Sequence, residues 1–323
     1  MQEYFFLTHD KTDPYFNLAS EEYLLKHRRE FFIYLWINSP AVILGVNQNA
    51  FQEVNLNYVR AHDVKVVRRL TGGGAVYHDL NNLCYTFIAP YDENSDSYEF
   101  FARPIVEYLN SLGLNAEFSG RNDITVDGKK ISGTAKTVYG DRIMCHGTLL
   151  VDTDGAALEN SLKPNKLKIE SKGIKSVRKR VANIKDFLPD ISVGDVKKGL
   201  TEKFLKTYKQ YSLDEKDLGE INRLVKEKYS TFEWNMGKSP KGKNVLERKF
   251  SYGIVSLYFD TYNGKIVNPE IKGDFFSVKD VKGLEKSLDG VDFTVEAVKN
   301  ALKDIGEYIR GADAESFVSE MFS

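Results

Sequence analysis

The sequence predicts an α+β protein: a mixed or antiparallel β-sheet with packed helices, followed by a small C-terminal α+β accessory domain. Three observations predict it. Short runs rich in β-branched and aromatic residues recur between turn signals, stretches with helical spacing interrupt them, and Gly237 to Lys243 (Gly-Lys-Ser-Pro-Lys-Gly-Lys) has the composition of a linker. The expected division is a catalytic domain over 1–243 and an accessory domain over 244–323, which is of viable size for a small domain.

The elements follow in order. Asp13-Pro14 leads into Tyr15 to Leu25, with apolar residues at helical spacing and Glu21-Glu22 read as the acids of a first turn. Phe31 to Ile37 and Ala41 to Val46 read as a strand pair around Asn38-Ser39-Pro40, and Val64 to Arg69 as a further strand. Tyr98 to Leu112 fits a helix ending at Gly113, with Pro104 near its first turn or kinking it. Asp123 to Val126, Asp127-Gly128 and Lys129 to Ala135 spell a hairpin, because a two-residue type I′ turn needs positive φ at both central positions. Tyr139 to Arg142 reverses the chain again, and Met144 to Val151 returns as a strand. Residues 194 to 211 and 214 to 230 read as two helices. In the accessory domain, Lys249 to Phe259 and Lys265 to Ile271 are strands around Asn263-Gly264, and three helical pieces after Val278 are separated at Gly290 and Gly311.

Composition narrows the function classes. A chain of 323 residues with 42% hydrophobic and 28% charged content can bury a large core. The N-terminus lacks a basic segment followed by a long apolar core, and no apolar run approaches the roughly 18 residues needed to span a bilayer, so the expectation is a cytoplasmic protein without a membrane partner. Two cysteines, Cys84 and Cys145, with no Cys-x-x-Cys spacing offer neither a disulfide framework nor a zinc site. The net charge of −1 argues against a dedicated nucleic-acid binder, although Lys163 to Lys185 holds nine basic residues against the single acid Glu170. Such a block reads either as a solvated face or as a place for one acidic partner.

The densest signal is Arg68-Arg69-Leu70-Thr71-Gly72-Gly73-Gly74-Ala75-Val76-Tyr77-His78-Asp79. Consecutive glycines let backbone N–H groups approach an anion, and arginine adds a permanently charged fork of donors. The spacing is neither Gly-x-x-x-x-Gly-Lys-Ser/Thr nor Gly-x-Gly-x-x-Gly. Both of those motifs lead into a helix, whereas this loop runs on toward the strand-like Leu83 to Ile88, which sets it over a sheet. A glycine-rich turn with no ligand is the competing reading.

Taken together, the glycine loop, Arg121-Asn122-Asp123, Lys130-Ile131-Ser132-Gly133-Thr134-Ala135 and His146-Gly147-Thr148-Leu149-Leu150 resemble the lipoate-protein ligase A family of the biotin/lipoate protein ligase superfamily. Lys172 to Arg178, and Trp234 with Gly237-Lys238-Ser239-Pro240, match in kind and order, so the resemblance covers essentially the whole chain. It implies a biotin/lipoyl ligase-like catalytic domain that uses ATP and Mg2+ to convert free lipoate, in lipoate salvage, to lipoyl-AMP. The lipoyl group then passes to a lysine of an acceptor domain, on 2-oxoacid dehydrogenase E2 subunits or the glycine cleavage H protein.

The resemblance makes Lys130 the motif lysine that contacts both the acyl carbonyl and the phosphate. It makes Arg69 a partner for phosphate and places Thr71, Gly72, Gly73, Gly74, Ala75, Val76 and Tyr77 along the nucleotide and acyl chain. Asn122, Gly147 and Thr148 join the site, and His78 and His146 flank the acyl pocket in a binding capacity. Asp123 binds magnesium or positions Lys130, with a turn or capping role as the plain alternative.

Two other readings compete. An octanoyl or lipoyl transferase would use a cysteine nucleophile, and Cys145 beside His146 invites it. Adjacent strand residues face opposite sides of a sheet, however, and transferases of that kind resemble only the first domain, whereas this chain continues through Gly273-Asp274-Phe275-Phe276 and further helices. A nucleic-acid binder would need aromatic residues interleaved in the basic block, and it has none.

Overall fold

The computed structural model describes residues 3–92, 95–119, 122–163, 181–237 and 244–321. The expected linker over 238–243, most of the basic block and Arg121 lie outside the described residues. The chain begins with β1 (Tyr4–Thr8), α1 (Pro14–His27), β2 (Phe31–Ile37), β3 (Ala41–Leu44), α2 (Ala50–Glu53), α3 (Leu56–Ala61), β4 (Lys65–Arg68), β5 (Val76–His78) and β6 (Asn82–Pro90). Then come α4 (Tyr98–Ser111), β7 (Ala116–Ser119), β8 (Asp123–Val126), β9 (Lys129–Tyr139), β10 (Arg142–Leu150), α5 (Gly155–Ser161), α6 (Val193–Leu205), β11 (Lys209–Tyr211) and α7 (Glu215–Leu224). The last part holds β12 (Asn244–Phe250), β13 (Gly253–Tyr262), β14 (Lys265–Gly273), α8 (Lys282–Leu288), α9 (Val295–Ala301) and α10 (Ala314–Met321).

Eight strands form a mixed sheet in the order β11-β1-β2-β6-β10-β9-β8-β7. The first three are parallel to one another and the rest run antiparallel. One face packs on α4 and α6 through Phe87, Phe101, Ile105, Leu200 and Phe204; the other carries α1 through Leu24, Trp36 and Met144. Each such large apolar side chain contributes about 1.5–3 kcal/mol when fully buried. A small sheet, β4-β3-β5, holds the glycine loop between β4 and β5, and β12-β13-β14 is an antiparallel meander with its own core around Leu257, Phe275 and Phe317.

Several expectations need correction. β2 and β3 are not a pair: Asn38-Ser39-Pro40 moves the chain from the large sheet to the small one, where β3 runs parallel to β4. Helix α1 starts at Pro14, capped by Asp13 accepting from the Tyr15 N–H at 3.2 Å, so Glu21 and Glu22 fall in its middle and are buried. The region 194–211 is a helix followed by the short strand β11, which pairs with β1. Lys249 to Phe259 is split between two strands at a turn where Gly253 has φ +136°. Pro104 sits past the first turn, inside α4. The Asp127-Gly128 turn has φ of 48° and 74°, as its sequence requires, and Asn263-Gly264 has 50° and 75°.

Candidate active site

Both arginines of the glycine loop hold backbone carbonyls, and of the two only Arg69 lines the cavity. Arg68 is fully buried, and its guanidinium donates to the carbonyls of Gly45 (2.8 Å), Gln48 (2.7 Å), Trp234 (3.1 Å) and Asn235 (3.0 Å). Arg69 donates from Nε to Thr71 Oγ1 at 2.8 Å and from its terminal nitrogens to the carbonyls of Ile43 (3.0 Å), Gly72 (2.6 Å) and Gly74 (2.9 Å). Arg69 lines the cavity, as expected of a site residue, and the carbonyls of the loop turn inward onto its guanidinium. Burial lowers the Arg69 pKa to about 10, which leaves it charged at neutral pH.

The glycines answer to close packing as much as to an anion. Gly73 has φ +91°, and a Cβ there would stand 3.0 Å from the Arg69 guanidinium and 3.2 Å from the Phe276 ring. At Gly72 a Cβ would come within 2.5 Å of the Phe275 carbonyl, which accepts the Gly73 N–H at 3.3 Å. The accessory segment Gly273 to Phe276 therefore lies directly against the loop.

Lys130 reaches the same side of the sheet because of a β-bulge. The β8–β9 register shifts between Ile124 and Thr125, pairing Ile124 with Ser132 but Thr125 with Lys130. Ile131 is the extra residue, and it enters the core with Ile124. Lys130 thus shares a face with Gly133, three residues on, where a Cβ would meet its ammonium at 3.0 Å. The ammonium ends 2.7 Å from the Asp123 carboxylate, and the Lys130 carbonyl accepts the Ala182 N–H at 2.9 Å.

The two histidines sit in different circuits. His146 faces α1, with Nδ1 2.9 Å from Glu21 Oε1 and Nε2 2.8 Å from Thr71 Oγ1; the Thr86 hydroxyl donates to the same Glu21 oxygen at 2.5 Å. His78 is buried, bonded through Nδ1 to Asn38 at 3.1 Å and 3.5 Å from Cys84 Sγ. Burial, then the nearby Arg69 and His146, lower its pKa to about 3, so the ring is neutral at physiological pH. Cys145 lies on the opposite face in the α4 core, and burial pushes its thiol up to about 12, so it is no thiolate and has no route to His146.

These elements enclose a cavity of about 320 Å³, at the lower end of the range for small-molecule sites. Of the residues expected at the site, Arg69, Gly73, Gly74, Ala75, Val76, Tyr77, His78, Asn122, Lys130, His146, Gly147 and Thr148 line it. Thr71, Gly72 and Asp123 do not, and each instead touches a lining residue: Arg69, Arg69 and Lys130, respectively. Sequence reasoning missed the apolar wall of Leu18, Trp36, Ile43, Leu158 and Leu162, which comes from separate elements with no motif, and Phe276, which also lines the cavity. It also missed Glu21, which reads as an ordinary first-turn acid. Among the described residues, no cluster of three or more His, Cys, Asp or Glu side chains could hold a metal ion, and no helix is long and apolar enough to cross a membrane.

Comparison with known proteins agrees with this architecture. The family model for the lipoyl protein ligase A/B catalytic domain matches residues 13–205, and that for the bacterial lipoate protein ligase C-terminus matches 239–321. The chain belongs to the lipoate-protein ligase family. It is 45% identical to lipoate–protein ligase 1 of Staphylococcus aureus, over 92% of each chain, and 40% identical to the Bacillus subtilis lipoate-protein ligase LplJ, over 96% of this chain and 97% of that one. The structure of P. falciparum LipL1 in complex with lipoate superposes with a TM-score of 0.76 at 27% identity, covering 98% of this chain and 97% of that one. A lipoate-protein ligase A bound with ATP gives 0.62 at 30% identity, covering 73% of this chain and 99% of the other.

Proposed function

We propose that the protein is an ATP-dependent lipoate-protein ligase whose reaction runs in the cavity between the glycine loop and Lys130. The observation that carries this reading is the placement of one lysine ammonium, held by Asp123, beside an apolar cavity walled by Trp36, Ile43 and Leu158. An apolar chain fills the interior and its carboxylate lies at the ammonium. Attack of that carboxylate oxygen on the α-phosphorus of ATP forms the acyl-adenylate as the bond to the β-phosphate breaks and pyrophosphate leaves. Charge builds on the phosphoryl oxygens, and a fixed cation with preorganised N–H donors stabilises it. Lys130 supplies the cation; Gly74 and Ala75 supply backbone.

In the second half-reaction the ε-amine of an acceptor lysine attacks the acyl carbonyl, AMP departs with the bonding pair, and the amine gives up a proton. That amine ordinarily has a pKa near 10.4, so the mixed anhydride must be the reactive partner. No enzyme nucleophile is required, which fits the burial of Cys145 on the far face. Acceptors of the E2-subunit type are proposed by analogy with the archaeal ligase solved as a system with its E2 lipoyl domain, and those of the H-protein type from the family resemblance alone. Magnesium typically binds through one or two carboxylates plus substrate phosphates, and the single carboxylate of Asp123 fits that mode, so the ion would arrive with the nucleotide and neutralise its phosphates. We place the domain division at 243/244 and the reaction, with its use of free lipoate, in the cytoplasm.

Intact-mass analysis of an acceptor domain incubated with the protein, lipoate, ATP and magnesium tests the proposal. The expected result is one lipoyl adduct that requires ATP. An adduct formed without ATP, or only from an acyl thioester, would overturn it.

A further inference from the structure

A continuous chain of hydrogen bonds crosses the site behind the cavity wall. It runs Trp36 Nε1 to Thr86 Oγ1 (3.0 Å), Thr86 Oγ1 to Glu21 Oε1 (2.5 Å), Glu21 Oε1 to His146 Nδ1 (2.9 Å), His146 Nε2 to Thr71 Oγ1 (2.8 Å) and Thr71 Oγ1 to Arg69 Nε (2.8 Å). Arg69 then holds the Gly72 and Gly74 carbonyls. Its direction is set by chemistry: tryptophan and arginine N–H groups only donate, and an ionised carboxylate only accepts. Every proton in the chain therefore points toward Glu21 from both ends. His146 donates from Nδ1, so its Nε2 accepts from Thr71, whose oxygen is left to accept from Arg69.

Glu21 is 1% exposed and is not on the cavity wall. A carboxylate so placed costs stability unless its acceptor capacity is met, and here one of its two donors, His146, lines the cavity while the other, Thr86, is buried behind it. We propose that Glu21 is a positioning residue for adenylation: it fixes the His146 ring, commits the Thr71 hydroxyl and locks Arg69 onto the loop carbonyls. The Gly73 N–H, opposite the Gly72 carbonyl, is taken by the Phe275 carbonyl, so it is the Gly74–Ala75 peptide unit, on the cavity wall, whose N–H is turned to the nucleotide. The inference rests on the ligase reading above.

The test is steady-state formation of lipoyl-AMP by the full-length protein, with ATP and lipoate varied separately, in Glu21→Leu, Glu21→Gln, Thr71→Val and the Glu21→Leu/Thr71→Val pair. Glu21→Leu should raise the KM for ATP about tenfold while the KM for lipoate stays within about twofold, because the loop rather than the acyl wall loses its anchor. Glu21→Gln should recover most of the loss, since its amide oxygen still accepts from Thr86 and His146. Thr71→Val breaks the chain at its other end, leaves α1 untouched and should reproduce the same split even if Glu21→Leu does not fold. The double variant should be no worse than the poorer single one. Multiplicative effects, a Gln variant as impaired as Leu, or a rise confined to the lipoate KM would overturn the proposal. Wild-type protein that makes no lipoyl-AMP would instead overturn the ligase reading on which it rests.

Discussion

Lys130 and Asp123 pair at 2.7 Å across the face of Gly133, at the end of a hairpin whose register slips by one residue to bring them together. Both side chains are about one-third exposed, at 37% and 34%, so the ion pair itself is worth only about 0–1 kcal/mol of stability. Its significance is geometric: it aims a flexible cation at one point of the cavity.

Replacing Lys130 should therefore separate activity from folding. In Lys130→Ala the adenylation rate should fall by about 10²–10³-fold, the usual cost of removing one preorganised charge-stabilising donor. The melting temperature should hardly move. Pyrophosphate release paired with a thermal melt checks both, and an active Lys130→Ala protein would remove the lysine from the mechanism.

Gly133 and Gly45 make a contrasting pair. A Cβ at Gly133 would crowd the far end of the Lys130 side chain at 3.0 Å and otherwise make ordinary contact with Asp123 at 3.9 Å, so Gly133→Ala should leave stability within about 0.5 kcal/mol. It would nevertheless displace the ammonium and slow adenylation by about 10- to 100-fold. At Gly45 a Cβ would fall 2.0 Å from the Gly73 carbonyl oxygen, and backbone cannot step aside as a side chain does. Gly45→Ala should cost about 1–3 kcal/mol in urea unfolding, and wild-type stability there would refute the close approach.

What was legible in the sequence was local. The Asp127-Gly128 turn, the glycine loop and the lysine two residues past that turn are written in residues a few positions apart, and short-range chemistry decides them. The role of Arg69 was not legible, because its acceptors are carbonyls at Ile43, Gly72 and Gly74 that carry no residue-type signature. Strand β11 escaped notice because three residues, Lys209–Tyr211, are stabilised by pairing with β1 some 200 positions away rather than by their own pattern. Glu21 escaped for the same reason: its partners Thr86 and His146 come from β6 and β10, and only the folded sheet puts them over α1.

The placement of Cys145 gives the sharpest distinction between a ligase and a thioester-forming transferase. Its thiol is in the α4 core and its neighbour His146 is on the cavity face. Cys145→Ala should cost about 1 kcal/mol of stability, as a typical core truncation does, and leave acyl transfer nearly unchanged. Loss of transfer with a folded protein would revive the cysteine route.

His78 predicts how the site responds to acid. Its folded-state pKa is lowered to about 3 from 6.5, chiefly by burial, so the native state favours the neutral ring. A histidine depressed in this way contributes stability that is complete above the unfolded value and is lost as pH falls from about 6.5 toward 3, because the unfolded chain takes up a proton that the folded chain refuses. Each unit of pH in that window removes up to about 1.4 kcal/mol. A His78→Gln protein lacks this titration, so its stability should fall less steeply, by about 2–3 kcal/mol in total between pH 6.5 and 4. Urea midpoints of the two proteins across that range measure the difference directly, and parallel curves would mean that the His78 ring is protonated in the folded cavity.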